Sequence, residues 1–186
     1  STRTIVNALT SMDRPPGVLI CASAVGYYGN RGDEVLDEAS VPGEGFLSHV
    51  CVDWEAATHP ARAKGVRVVN VRIGLVLSRH GGALAQMLLP FGLGLGGVLG
   101  GGRQWMSWIS LDDLVEVIVF ALENRELNEP VNAVAPNPAT NRDFTRTLGR
   151  VLRRPTLLPA PGFAISALLG EMGETLLLGG ARVLPK

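Results

Sequence analysis

Residues 21–30, CASAVGYYGN, bring Ser23, Tyr27 and Tyr28 to the close of an apolar run, with Gly26 and Gly29 bracketing the tyrosines. Hydroxyls at the mouth of a buried strand serve one of two ends. They satisfy the hydrogen bonds of a turn, or they set a proton donor beside a bound ligand. A phenol with no nearby cation keeps a pKa of about 10, so catalysis by either tyrosine needs a partner that lowers it.

Other side chains also have chemistry to offer. Arg72 follows the apolar VVNV and can reach a phosphate or a carboxylate, or pair structurally with a loop carbonyl or acid. Gln104, Trp105 and Trp108 close a glycine-rich stretch. Tryptophan stacks rings and glutamine binds hydroxyls, which suits a substrate pocket, with core packing of at least one Trp as the alternative. His49, His59 and His80 share no metal-ligand spacing, and neither do Cys21 and Cys51. No metal is expected, and the cysteines read as buried, reduced thiols. Trp54 reads as core and its neighbour Glu55 as a solvated or helix-bridging charge. GLGLGG at 92–97 spells G-x-G-x-x-G, yet that fingerprint meets a pyrophosphate only where a strand turns tightly into a helix. A helix precedes it here and more glycine follows, so it reads as a mobile or substrate-covering loop.

The elements that must position these groups alternate along the chain. Ile5, Val6 and Leu9 give an opening helix behind a Ser or Thr cap. PPG turns into the strand VLICAS, and GNRGDEVLDEASVPGEG is polar and glycine-rich enough to read as a surface loop. Residues 46–64 follow helical spacing, with Phe46, Val50, Trp54 and Ala57 on one face, and VRVVNVRIGLVL reads as a second continuous strand. GALAQMLLPF is a short helix stopped near Pro90, and GLGLGGVLGGGRQWMSW follows as a flexible segment. Ser110 caps the next helix, with Asp112 and Asp113 in its first turn and Leu114, Ile118 and Ala121 on one face. PVNAVAP is a third strand, and Thr140 and Asp143 stand at capping-box spacing before the last clear helix. This alternation predicts an α/β fold with a parallel sheet covered by helices on both faces, whose ligands bind beyond the carboxyl ends of the strands. Ser23, Tyr27 and Tyr28 fall at one such end, Ile73 and Gly74 at the next.

A chain of 186 residues with 46% hydrophobic content suits one domain, or one domain with the stub of a second. Its 17 basic and 17 acidic residues cancel, which excludes recognition of nucleic acid or an anionic membrane through net charge. No signal-peptide pattern opens the sequence and no apolar stretch is long enough to span a bilayer, so a soluble, cytoplasmic protein is expected. The start without methionine and the stop just after an apolar, helix-like segment read as the two ends of a piece cut from a longer protein.

Taken together, SAVGYYG, FLSHVCVDWEAA, VRIGLVLSRH through SLDDLV, and VNAVAPNPATNRDF resemble the atypical extended short-chain dehydrogenase/reductase family. Within it they are similar to the NAD-dependent epimerase/dehydratase-like proteins, a group that includes nucleoside-diphosphate-sugar epimerases. The resemblance covers nearly the whole chain, and the Gly-Gly-Arg-Gln-Trp to Trp-Ile stretch is its most specific part. It implies a partial Rossmann-like fold lacking the N-terminal glycine-rich βαβ unit. Residues 1–155 would be the C-terminal part of the dinucleotide domain with its substrate-side loop, and 156–186 a helical segment leading into a small C-terminal domain. NADP(H), ahead of NAD(H), is the implied cofactor, with contacts expected at Ala22, Ser23, Ala24, Arg72, Ile73, Gly74 and Val76. Substrate contacts fall on Gln104, Trp105 and Trp108.

The wider superfamily works with a tyrosine, a lysine four residues on, and a serine or threonine. On a helix, i and i+4 share a face, so the ammonium lies near the phenol and lowers its pKa. Here Phe46 and Val50 hold the two positions, and neither transfers a proton. The hydroxyl position falls on Ala24 or, with a one-residue slip, on Ser23. Tyr27 has Arg31 four residues on, with Gly29 between them arguing against a helix. Ser23, Tyr27 and Tyr28 are the catalytic candidates that remain. Ser110 replaces the histidine usual after the Trp-Ile pair. The implied activity is that of an NADP(H)-dependent oxidoreductase or epimerase-like enzyme acting on a small, polar, sugar-like molecule. The alternative is a nicotinamide-dinucleotide-binding sensor or scaffold without turnover, and assembly into homo-oligomers is compatible with either.

Overall fold

The structure, a computed structural model, describes residues 2–162 and 178–186. Helix α1 (Thr2–Thr10) leads into β1 (Val18–Ala24), a 3₁₀ turn (Val25–Tyr28) and the short β2 (Val35–Leu36). Next come α2 (Phe46–Ala56), α3 (His59–Ala63), β3 (Arg67–Ile73), β4 (Leu75–Leu77) and α4 (Gly82–Gly92). After them run β5 (Trp105–Met106), β6 (Trp108–Ser110), α5 (Leu111–Glu123), β7 (Val131–Ala133), β8 (Ala139–Thr140), α6 (Asn141–Leu152) and β9 (Arg182–Val183). The apolar run expected to be helical near the C-terminus falls, over 163–177, outside the described residues.

β1, β3 and β7 form a parallel sheet in the order β1–β3–β7. Side chains alternate across a strand, so the central β3 feeds both faces. Val69 and Val71 join Ile109, Leu114, Ala121 and Ala133 in a core under α5, while Val68 joins Val6, Ala61 and Val66 under α1 and α3. The expected two-sided α/β layering is therefore present. Both caps read from the sequence form as well. Ser110 Oγ accepts from the Asp113 N–H at 3.0 Å, and the Thr140 hydroxyl accepts from the Asp143 N–H at 3.2 Å while donating to its carboxylate at 2.7 Å.

Several expectations give way. VRVVNVRIGLVL is not one strand, because it breaks at Gly74. A Cβ on Gly74 would lie 2.4 Å from the Ser107 carbonyl oxygen and 2.8 Å from a Val134 methyl, so only glycine lets the chain step off the main sheet and pair β4 with β6. The 46–64 helix is two helices. The supposed surface loop at 29–45 contributes β2, whose fully buried Leu36 pairs with Val183 of β9. The glycine-rich segment is packed, not loose. A Cβ on Gly97 would come within 1.8 Å of the Leu158 carbonyl oxygen, and backbone hydrogen bonds tie Val98 and Gly100 to Ala160 before the segment enters β5. Close approach is what Gly96 and Gly97 provide, and a positive φ is what Gly94, Gly100 and Gly102 provide.

Candidate active site at the strand ends

Register places Ser23 of β1 beside Arg72 of β3, and Arg72 beside Asn132 of β7. The three therefore share one face near the carboxyl ends of the strands. Glu55 descends on them from α2. Arg72 Nε and Nη2 donate to its two carboxylate oxygens, each at 2.9 Å, and Ser23 Oγ donates to Oε1 at 2.8 Å. Arg72 Nη1 donates to the Tyr28 hydroxyl at 3.0 Å, and that hydroxyl donates to Asn132 Oδ1 at 2.7 Å. The guanidinium also lies 3.6 Å over the Tyr27 ring. Arg72 is 3% exposed and Glu55 8%, so this bidentate pair is shielded from water.

Burial alone would lower the pKa of Arg72, but its hydrogen bonds to Glu55 and Tyr28 outweigh that and hold the guanidinium above its ordinary value. Burial also pushes the Tyr28 phenol up, further than the bond from Arg72 pulls it back. Tyr28 is wholly buried, with its hydroxyl held between Arg72 and Asn132, and is not among the described residues lining the cavity. The absent cation beside the tyrosines is thus supplied, by Arg72 from the next strand, inside a buried hydrogen-bond network.

Above this polar floor opens a cavity of about 860 Å³. Ala24, Val25, Ile73 and Gly74 line its base at the strand ends, and Phe46, Val50 and Trp54 form one wall. Ala83 and Met87 of α4 stand in a second wall, and Leu99, Gln104, Trp105 and Met106 in a third. Trp105 is fixed from two directions: its indole N–H donates to Asp33 Oδ1 at 2.7 Å, and the Arg182 guanidinium lies 4.6 Å over its ring. Among the described lining residues the ionisable ones are Glu44 and Cys51. Burial pushes the Cys51 thiol above its ordinary value.

Of the residues singled out from the sequence, Ala24, Ile73, Gly74, Gln104 and Trp105 come together around this cavity. Ser23, Arg72 and Tyr28 lie in the buried network, with Tyr27 half-buried against Arg72. Arg72 therefore takes the structural option and has no arm left for a phosphate. Ala22 is exposed on the face of β1 opposite Ser23, Val76 packs on the α5 core, and Trp108 directs its indole N–H to the Asn137 carbonyl at 3.2 Å. The three histidines are exposed.

Two residues on α2 depart from expectation. Glu55 is no solvated charge, and Trp54, 46% exposed, is not core. The helix turns Ser48, Cys51 and Glu55 inward, a 3–4 spacing visible in the sequence, and gives the apolar stripe to the cavity.

A parallel sheet with helices on both faces, and a cavity outside the carboxyl ends of its strands, is the arrangement of a doubly wound, Rossmann-like domain. The family model for NAD dependent epimerase/dehydratase proteins matches residues 1–134, and the chain belongs to that family. A domain of unknown function, DUF1731, matches residues 160–186. An epimerase family protein of Mycobacterium tuberculosis is 49% identical over 184 residues, which are 99% of this chain and 61% of that protein. The human epimerase family protein SDR39U1 is 39% identical over 189 residues, covering 100% of this chain and 64% of its own length. The crystal structure of human SDR39U1 (isoform 2) with NADPH superposes with a TM-score of 0.92 at 37% identity, over 99% of this chain and 62% of that one. A nucleoside-diphosphate sugar epimerase from Corynebacterium glutamicum gives a TM-score of 0.74 at 37% identity, over 94% and 40%. The chain thus spans about three fifths of the curated relatives it matches. Among the described residues no helix is long and apolar enough to cross a membrane.

Proposed function

We propose that the cavity is the nicotinamide and substrate side of an NADP(H)-dependent oxidoreductase or epimerase-like enzyme. The observation that carries this reading is an apolar cavity, at the upper end of the usual ligand-pocket range of about 300–1,000 Å³, seated on the carboxyl ends of β1 and β3. The NADPH in the human relative's structure supports the choice of cofactor. The residues present fit the nicotinamide half. Ala24, Ile73 and Gly74 offer a flat, close floor, and Phe46, Val50 and Trp105 exclude water from a ring laid on it. No Lys or Arg stands among the described lining residues. When bound, the cofactor supplies the hydride; the chain's own residues bind, orient and dehydrate, with Gln104 and Trp105 toward the substrate.

A second reading, a nicotinamide-binding protein without turnover, is favoured by one observation. Phe46 and Val50 wall the cavity where a proton-transferring pair would stand, and Ser23 and Tyr28 are locked below it. Both readings predict binding. Titration of NADPH, NADH and reduced nicotinamide mononucleotide, followed by energy transfer from Trp54 and Trp105 to the reduced ring, tests it. Saturable transfer with all three is expected, and its absence for all three overturns both readings. Consumption of reduced nicotinamide with a carbonyl panel then separates enzyme from binder.

A further inference from the structure

The walls of the cavity restrict what can share it. Phe46, Val50 and Trp54 recur at i, i+4 and i+8 on α2, and Phe46 is 78% exposed, an apolar stripe that a surface helix ordinarily turns toward a core. Met87, Leu99 and Met106 face the same space from other sides. The polar side chains between them hold the walls together. Ser48 Oγ bonds the Tyr27 and Gly43 carbonyls at 2.7 and 2.8 Å, and Ser107 Oγ donates to the Ala181 carbonyl and accepts from the Val183 N–H. Asn141 Oδ1 accepts from the Leu99 N–H at 2.9 Å.

Charge points the same way. Arg72 pairs with Glu55 and Arg31 with Glu34, Arg142 donates to the Gly101 carbonyl at 2.8 Å, and the Arg182 guanidinium lies over the face of Trp105, all outside the described lining. Glu44, exposed on the lining, adds a negative charge. A nucleoside diphosphate entering here would surrender the hydration of its phosphates to Phe46, Trp54 and Met87, with no Lys or Arg among the described lining residues to replace it.

Resting on the reading of this cavity as a substrate site, we infer that its substrate is an uncharged, predominantly apolar ring compound bearing a single carbonyl or hydroxyl. A sugar nucleotide, and the small polar molecule expected from the sequence, are the alternatives that the test must separate from it. The apolar stripe on α2 supplies the binding energy, and Gln104, whose amide donates to the Leu99 carbonyl at 3.1 Å, stands on the lining where the oxygen would lie.

The test titrates the chain with two probes, the bicyclic ketone 2-decalone and UDP-glucose, reading tryptophan emission. The ketone is expected to change the emission saturably, and Phe46→Glu to weaken its binding by roughly tenfold or more. Phe46 lies at the surface, and an unchanged far-ultraviolet circular dichroism spectrum verifies that the variant folds. UDP-glucose is expected to give no saturable change. Binding of UDP-glucose as tight as that of the ketone overturns the inference, as does ketone binding that is absent or indifferent to Phe46→Glu. The cofactor reading fails separately: ketone binding without NADPH binding supports this inference and removes that reading, whereas NADPH binding with UDP-glucose preferred does the reverse.

Discussion

Replacing Glu55 by alanine removes the acceptor of three hydrogen bonds, two from Arg72 and one from Ser23, and leaves a guanidinium buried under α2 with the Tyr28 hydroxyl, a long bond to the Glu38 carbonyl and the Tyr27 ring. Because Arg72 is 3% and Glu55 8% exposed, water cannot easily replace the carboxylate, and solvent screening does little to reduce the effect. Removing one partner of a buried pair costs about 3–5 kcal/mol. In a domain of this size 1 kcal/mol moves Tm by about 2–4 °C, so a loss near 4 kcal/mol predicts a fall of roughly 8–16 °C. Thermal unfolding followed by circular dichroism measures it. Arg72→Met combined with Glu55→Leu removes both charges and is expected to recover most of the loss, and the double-mutant cycle isolates the coupling. A fall of less than about 3 °C for Glu55→Ala would refute the claim that this carboxylate holds the three strand ends together.

Three further outcomes follow from the packing and the buried groups. Gly74→Ala drives a methyl into the Ser107 carbonyl and is expected to destabilise by about 1–3 kcal/mol in urea unfolding; an unchanged midpoint would contradict the step between the two sheets. Ser110→Ala removes the cap on α5 and is expected to lose about 1 kcal/mol, while Ser110→Asp retains most of it. Stability is expected to fall as pH rises above 9. Burial raises the Cys51 thiol and Tyr28 phenol above their ordinary values of 9.0 and 10.0, so their contribution is whole below those values and fades as the unfolded chain releases protons that the folded one keeps. Urea midpoints from pH 8 to 10.5 that do not fall would refute it, and Tyr28→Phe is expected to flatten the upper part of the slope.

The fold was legible wherever the signal is local. β1 and β3 are apolar on both sides because helices cover both, and Ser110 and Thr140 cap their helices through hydrogen bonds that span three residues. What escaped depends on contacts far apart in the chain. Glu55 reads as a surface charge until Arg72 is placed beneath it, and nothing in a 46–57 stripe tells whether Phe46, Val50 and Trp54 face a core or a cavity. Gly74 looks like any glycine in a strand until the Ser107 carbonyl is brought against it. Of the candidate site, the floor at Ala24, Ile73 and Gly74 and the wall at Gln104 and Trp105 were readable from strand ends and aromatic spacing. Which of two adjacent tyrosines goes inward was not, since the 3₁₀ turn decides it.

The polar ladder from Ser23 through Arg72 to Asn132 divides the cavity into parts with different freedom to vary. Its floor is keyed to a guanidinium that each of three strand ends must accommodate, so a substitution there disturbs the whole sheet before it alters a ligand. Phe46, Trp54 and Leu89 project from helices into open space, 78%, 46% and 71% exposed, and the first two line the cavity. Selection for a new ligand therefore has an inexpensive route through the walls of α2, leaving the floor as a fixed inheritance on which preference can drift.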